Sequence, residues 1–268
     1  MNYCYLNGKM LSFNDCSIHI SDLLFQRGYG VFDFFRCRNG NIYWLDDYTD
    51  RLFNSLKHSG IETGIDRQEF VSIIYDLQQK NGDENGAFKV IVTGGYSQNL
   101  ESVTGNANFI VLNVPWRKPA PETFENGIHL ITSEYVRQDP EIKTLYYFNL
   151  LRLQKKLKEF GAVDVLYHTD MITEASRANA FFVKDGTIFT PAVNILKGVT
   201  RKQVLGMFGD IHIEDIEVDR LYKFDEIFIT STSRDITPVV SVDGKKIGNG
   251  SPGKVTIDIM AAFRAKGW

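Results

Sequence analysis

The chain has 268 residues, 43% of them apolar and 24% charged, with a net charge of −3. This is ample apolar material for one large domain or two ordinary ones and excludes a disordered chain, while the absence of any long run of one sign excludes a nucleic-acid surface and an acidic tail. Cys4, Cys16 and Cys37, odd in number and without a CxxC spacing, exclude a disulfide framework and fit a reducing compartment.

Residues 1–10 are polar and lack the charged-then-apolar form of a signal peptide. The densest apolar run, Phe109-Ile110-Val111-Leu112, has strand length and is far too short to span a bilayer. A soluble, cytoplasmic protein is expected. Segment 30–37, aromatic and apolar, predicts a strand, and Arg38-Asn39-Gly40-Asn41 predicts a hairpin turn. Leu45, Tyr48, Leu52 and Leu56 recur three or four apart, which predicts an amphipathic helix over 46–59 closed by Gly60. Asp66 with Glu69 has the form of a capping box opening a second helix, to about Lys80. Residues 87–93 and 108–114 read as strands. Pro115, Pro119 and Pro121 then cluster around Trp116, and proline blocks both ladder and helix. Segment 116–121 therefore reads as a linker between a smaller N-terminal α/β domain, 1–115, and a larger C-terminal domain, 122–268.

In the second half, Leu150, Leu153, Leu157 and Phe160 trace one face of a helix that ends at Gly161, with Lys155, Lys156 and Lys158 in its last turn. Strands follow at 163–167, 179–184 and 187–190, a helix near Thr200, strands at 225–230 and 236–241, and a last helix from about Pro252 to Ala265. Short strands joined by hairpin-like turns such as Lys184-Asp185-Gly186 predict mixed or antiparallel sheets, not a doubly wound parallel one.

Chemistry enters with Lys143, which precedes the helix at 150–160, and Glu174, thirty-one residues later in Thr173-Glu174-Ala175-Ser176. A lysine amine and a carboxylate in one site suit pyridoxal phosphate: the amine forms a Schiff base with the aldehyde and the carboxylate keeps the pyridine nitrogen protonated. A charged residue beside a buried strand also needs a partner. In Gly198-Val199-Thr200-Arg201-Lys202-Gln203, Thr200 and Gln203 predict a capping box with Thr200 as the cap. Free N–H groups at such a start can bind an anion, although most capped helices bind nothing. Arg51, beside the Tyr48–Leu52 stripe, reads as an anion ligand or as a salt-bridged face residue. The hydroxyls of Thr230-Ser231-Thr232-Ser233 can donate to a phosphate or satisfy a turn.

Together these segments resemble the fold-type IV, or class IV, pyridoxal-phosphate enzymes, the group of branched-chain and D-amino-acid aminotransferases and aminodeoxychorismate lyases. The resemblance runs from Ser21 to about Asp243. It is carried by Gly28-Tyr29-Gly30-Val31-Phe32-Asp33, Asp50-Arg51-Leu52, Lys143-Thr144, Thr173-Glu174-Ala175-Ser176, Asn179-Ala180-Phe181, Leu196-Lys197-Gly198-Val199-Thr200-Arg201 and Ile236-Thr237-Pro238-Val239. It implies a two-domain α/β fold (α+β type) with the cofactor in the interdomain cleft, held mainly by the C-terminal domain, and a homodimer.

The resemblance also implies roles. Lys143 is the catalytic Schiff-base lysine and Glu174 pairs with the pyridine nitrogen. Arg51, the backbone at Gly198, Val199 and Thr200, and the hydroxyls of Ser231 and Thr232 hold the phosphate. Leu196 packs on the ring, and Ser176 and Asn179 buttress Glu174. No metal is implied. Candidates for the substrate side are Phe25, Arg27, Arg36 and Ser233, with Arg234 also able to pair with a carboxylate. Tyr48, Ala178 and Lys197 depart from the commoner family pattern without threatening cofactor binding. Gly94-Gly95 occupies the region where D-specific members place an arginine, which counts against a D-amino acid, while the run Thr230–Gly244 looks closest to the D-specific branch. Arg36 resembles the position used by branched-chain-type members, and the resemblance implies a branched-chain-like amino acid and a 2-oxo acid as substrates. Pyruvate elimination by an aminodeoxychorismate lyase, D-amino-acid transfer and a non-catalytic descendant are the alternatives.

Overall fold

A computed structural model describes residues 2–267. The chain forms two compact units. The first runs to Arg117 and includes Ile142–Tyr146; the second comprises Lys118–Glu141 and the chain from Tyr147 onward. The segment around Lys143 thus counts with the first unit, whereas the sequence reading assigned it to the second domain.

The elements of the first unit are β1 (Tyr3–Leu6), β2 (Lys9–Ser12), α1 (Leu23–Arg27), β3 (Gly30–Arg38), β4 (Asn41–Ile42), α2 (Leu45–Ser59), α3 (Arg67–Asn81), β5 (Ala87–Thr93) and β6 (Phe109–Val114). The strands make one antiparallel sheet in the order β2-β1-β6-β5-β3-β4. Alternation along β3 sends Val31, Asp33, Phe35 and Cys37 to the buried face. There Phe35 stacks on Phe88 and meets Tyr48 of α2 and Phe70 of α3. The stripe that predicts α2 is the one it buries: Leu45, Tyr48, Leu52 and Leu56. The Asp66 side chain caps α3 by accepting the Glu69 N–H at 2.8 Å.

The second unit contains α4 (Pro121–Glu125), β7 (Ile128–Glu134), α5 (Phe148–Arg152), α6 (Gln154–Glu159), β8 (Asp164–His168), β9 (Met171–Ala175), β10 (Asn179–Lys184), β11 (Thr187–Pro191), α7 (Val199–Met207), β12 (Ile211–Glu214), β13 (Ile216–Glu217), β14 (Glu226–Ser231), β15 (Asp235–Val242), β16 (Lys245–Lys246) and α8 (Lys254–Ala265). Its sheet has the order β12-β11-β10-β14-β15-β7-β8-β9-β13, with β16 on β15. It is mixed: β7 runs parallel to β8 and β15, and β11 parallel to β12, among otherwise antiparallel pairs. One core gathers Leu166, Ala180, Phe182, Ile227 and Ile229; another joins Leu150 and Leu157 to Ile131, Val165 and Tyr167.

Three expectations are corrected. The helix expected across 150–160 is two short ones, interrupted at Leu153 (φ −88°, ψ 0°), and the apolar spacing stays in phase across the break. Helix α7 begins at Val199 with Gly198 as its N-cap and no side-chain cap, so Thr200 lies inside the first turn and does not cap it. Pro121 starts α4 at a position where proline's missing N–H costs nothing, so the expected linker ends in a helix.

Candidate functional site

In the first unit, the chain at 142–146 lies along the edge of β3 that β4 leaves uncovered. Phe32 N–H donates to Lys143 O at 2.9 Å, Leu145 N–H donates to Gly30 O at 3.2 Å, and Val31 and Thr144 form an antiparallel bridge. A side chain at Gly30 would meet Leu145 Cδ1 and Val92 O, both at 3.1 Å, so glycine suits this close approach. The Lys143 N–H also reaches Ser55 Oγ on α2 at 3.2 Å. The backbone of the lysine is thereby fixed, with Nζ 4.6 Å from the centroid of the Phe32 ring. One residue along, Asp33 is fully buried and accepts two hydrogen bonds from Arg51, Nε to Oδ2 at 2.9 Å and Nη2 to Oδ1 at 2.6 Å.

Phe25, Arg27 and Arg36, three of the substrate-side candidates, also lie in the first unit. Arg36 is buried toward the far end of β3, its guanidinium 4.2 Å from the centroid of the Trp116 ring. Arg27 pairs with Glu101 at 3.4 Å, with both side chains more than half exposed, and Phe25 is 62% exposed. An added Cβ at Gly94 would meet Tyr29 Cδ1 at 2.2 Å and force that ring to shift, while one at Gly95, with φ +79°, would meet the Asn106 carbonyl at 1.8 Å. In segment 94–105 the one charged residue is Glu101.

In the second unit, Glu174 lies within β9, ahead of the apolar strand β10, and is 4% exposed. Its Oε1 accepts from Arg137 Nε at 2.7 Å and its Oε2 from the Leu196 N–H at 3.0 Å. Arg137 is steadied in turn by the carbonyl of Pro140. The carbonyl of Leu196 accepts from Asn179 Nδ2 at 2.7 Å. A Cβ at Gly198 would lie 2.1 Å from Asn179 Oδ1, so a side chain there would force Asn179 or the loop to shift. Lys202 N–H closes the first intrahelical bond to Gly198 O, and the amides of Val199 and Thr200 precede it. Arg201, 8% exposed, donates to Thr190 Oγ1 at 3.3 Å and Pro191 O at 3.1 Å. Burial pushes its guanidinium below the ordinary range, and the nearby Glu174 charge opposes that.

Register sets Asn179 of β10 opposite Thr230 of β14, next to the hydroxyl run. Ser231 Oγ lies 3.4 Å from Ser233 Oγ and accepts the Arg234 N–H at 3.2 Å. Thr230 Oγ1 is buried and has no hydrogen-bond partner. Ser176 lies in the β9–β10 turn and donates to Asp164, not to Glu174. Arg234, weighed as a carboxylate ligand, is committed to Asp164 at 2.9 Å. The second unit therefore gathers Glu174, Asn179, Leu196, Gly198, Val199 and Thr200 into one hydrogen-bonded neighbourhood, and links Ser176 to the Ser231–Ser233 turn through Asp164.

Four residues of these neighbourhoods escaped the sequence reading: Asp33, Arg137, Asp164 and Tyr147. Burial pushes the Tyr147 phenol up to about 12; Arg137 pulls it down, and Glu174 and Asp164 push it further up. A signal was available for Asp33, since a charge at a core-facing position of an apolar strand requires a partner.

The description of the family model that matches residues 30–242 is amino-transferase class IV. The D-alanine aminotransferase of Bacillus licheniformis is 30% identical to this chain, over 96% of it and 94% of the relative. The D-alanine aminotransferase of Staphylococcus haemolyticus is 26% identical, over 98% of this chain and 97% of the relative. The branched-chain amino acid aminotransferase of Escherichia coli superimposes with a TM-score of 0.91 at 25% identity, over 98% of this chain and 94% of that one.

Proposed function

This chain belongs to the class IV aminotransferases, and we propose that it moves an amino group between a branched-chain-like amino acid and a 2-oxo acid, with Lys143 as the catalytic residue. Enzymes of this family work with pyridoxal 5′-phosphate. The residues present suit that group on three counts. The Glu174 carboxylate is held at both oxygens, the Gly198 backbone lies where a Cβ would collide with Asn179, and a buried Thr230 hydroxyl has no partner beside the Ser231–Ser233 turn.

The carrying observation is the Glu174 carboxylate, fixed by Arg137 on one oxygen and by a backbone amide on the other. A carboxylate that accepts charge-assisted hydrogen bonds stays ionised and keeps one orientation. When bound, the cofactor supplies an aldehyde that condenses with amines and a protonated ring that draws electrons from the substrate α-carbon. Glu174 would hold the proton on the ring nitrogen. Lys143 Nζ would carry the proton from the substrate α-carbon to the cofactor's former aldehyde carbon; an amine can be neutral in a desolvated site, which a guanidinium cannot. Arg51, the amides of Val199 and Thr200 following Gly198, and the Ser231 and Thr232 hydroxyls would hold the phosphate. Leu196 would cover one ring face, with Ser176 and Asn179 supporting the loops around it.

The branched-chain-like reading rests on the absence of a cation from segment 94–105, where D-specific members place their carboxylate partner. Its counterweight is the D-alanine aminotransferase of B. licheniformis, 30% identical, which makes D-alanine the second reading. A homodimer and a cytoplasmic location belong to the same proposal. Exposed Ile20, Phe25 and Val103 in the first unit and Phe148 and Leu151 in the second are apolar surface that a second copy would cover. Among the described residues no helix is long and apolar enough to cross a membrane.

The test is the visible spectrum of the cofactor-loaded protein during titration with L-leucine, L-glutamate and D-alanine in turn. Loss of the visible band with L-leucine, and its return on adding a 2-oxo acid, is expected. A response to D-alanine alone would move the assignment to the second reading. A band that survives all three would overturn amino transfer in favour of elimination.

A further inference from the structure

Asp164 opens β8 and is completely buried. Its carboxylate accepts from Ser176 Oγ, from Arg234 Nη1 at 2.9 Å, from Arg177 Nε at 3.3 Å and from the Val165 N–H at 2.8 Å. Both guanidinium groups extend past it to the same carbonyl, Val163 O, from Arg177 Nη2 at 2.8 Å and Arg234 Nη2 at 3.4 Å. The side-chain donors come from two turns far apart in sequence. One is the turn that joins Ala175 to Ala178, immediately after Glu174, and Ser176 N–H also ties it to Val165 O at 2.8 Å. The other is the turn after β14 that carries Ser231, Thr232 and Ser233.

Two cations therefore share one buried anion. Burial and the neighbouring Arg177 both push the Arg234 guanidinium below its ordinary range, while Asp164 opposes them. Without the carboxylate, the two guanidinium groups would repel each other across the space between the turns. A carboxylate in this position does more than fill a core, because each donor it accepts restrains a different loop.

We infer that Asp164 is a positioning residue: through Ser176 and Arg234 it locks the turn beside Glu174 to the Ser231–Ser233 turn, so that the ring-nitrogen end and the phosphate end of the cofactor site form one rigid piece. This rests on the cofactor placement proposed above.

The experiment strips the enzyme of cofactor and titrates it with pyridoxal 5′-phosphate and, separately, with pyridoxal, which lacks the phosphate. The ratio of the two affinities measures the phosphate's contribution, which a general loss of stability does not change. D164N is expected to lower that ratio by roughly 10–100-fold, the range that outer hydrogen-bond partners command at metal sites. R234Q, which keeps Asp164 and alters a partly exposed side chain, is expected to lower it in the same direction, and D164N/R234Q to fall no further than D164N. R177Q, which leaves the Ser176 and Arg234 contacts in place, is expected to move it least. T232V serves as the reference for the underlying reading. If T232V lowers the ratio while folded D164N and R234Q leave it unchanged, the inference is wrong. If T232V itself leaves the ratio unchanged, the hydroxyl turn does not hold the phosphate and the cofactor placement falls with it.

Discussion

Arg51 on α2 and Asp33 on β3 form a two-pronged ion pair, at 2.9 and 2.6 Å, with side-chain exposures of 9% and 0%. The pair joins helix to sheet next to the strand position against which the Lys143 segment lies. The fork of Arg51 is thus fixed by a residue of the same unit.

Removing the acid from this pair should be costly, because a buried guanidinium would lose its charge partner. Asp33→Ala is expected to destabilise the protein by about 3–5 kcal/mol, and Asp33→Asn, which keeps the shape, by less. Urea unfolding of the cofactor-free protein at neutral pH measures this. A loss below about 1 kcal/mol, the worth of an exposed pair, would mean that the pair contributes as a surface contact does.

The passage of Gly198 against Asn179 predicts a coupled pair of substitutions. Gly198→Ala would bring a methyl to 2.1 Å from Asn179 Oδ1 and displace the loop that carries the Leu196 amide. A cost of about 1–3 kcal/mol is expected, as for other overpacked sites, together with weaker cofactor binding. In an Asn179→Ala background the clash is gone, so the same glycine substitution should cost less than it does alone. Equal costs in the two backgrounds would show that Asn179 does not limit the loop.

Tyr147 gives a pH dependence with a definite sign. Its phenol ordinarily ionises near 10, and burial pushes it up to about 12 in the folded protein. Between those values the unfolded chain has lost the proton and the folded chain keeps it, so stability falls as pH rises through this window and is unaffected below it. Other tyrosines, such as Tyr29 and Tyr167, shift the same way, so the parent is compared with Tyr147→Phe. The variant should lose less stability than the parent between pH 9.5 and about 11.5, measured as urea midpoints. Parallel curves would remove Tyr147 from the account.

Much of this fold was legible because its elements bury what their periodicity advertises. The stripe of α2, the Asp66–Glu69 cap of α3 and the apolar strands at 87–93 and 179–184 lie where local pattern puts them. Lys143, Glu174 and Arg51 could be singled out because each sits in a recognisable local setting. Their partners could not, since nothing local distinguishes them. Arg137 reaches Glu174 across thirty-seven residues and Arg234 reaches Asp164 across seventy. The break at Leu153 was hidden for the opposite reason: Leu150, Leu153, Leu157 and Phe160 keep helical spacing whether or not the helix is continuous.

The lysine-bearing segment 142–146 lies along an open edge of the first unit's sheet, bridged to it at Val31 and Thr144, and is supplied late. When residue 117 leaves the ribosome, β3 still presents the Phe32 N–H and the Gly30 carbonyl to water along an open border. That border closes only once the chain through 118–141, which belongs to the other unit, has also been made. Synthesis order and architecture are therefore interleaved. The first unit cannot be completed before part of the second exists, and a fragment ending at Arg117 would lack both Lys143 and the segment that covers its exposed border against pairing with another chain.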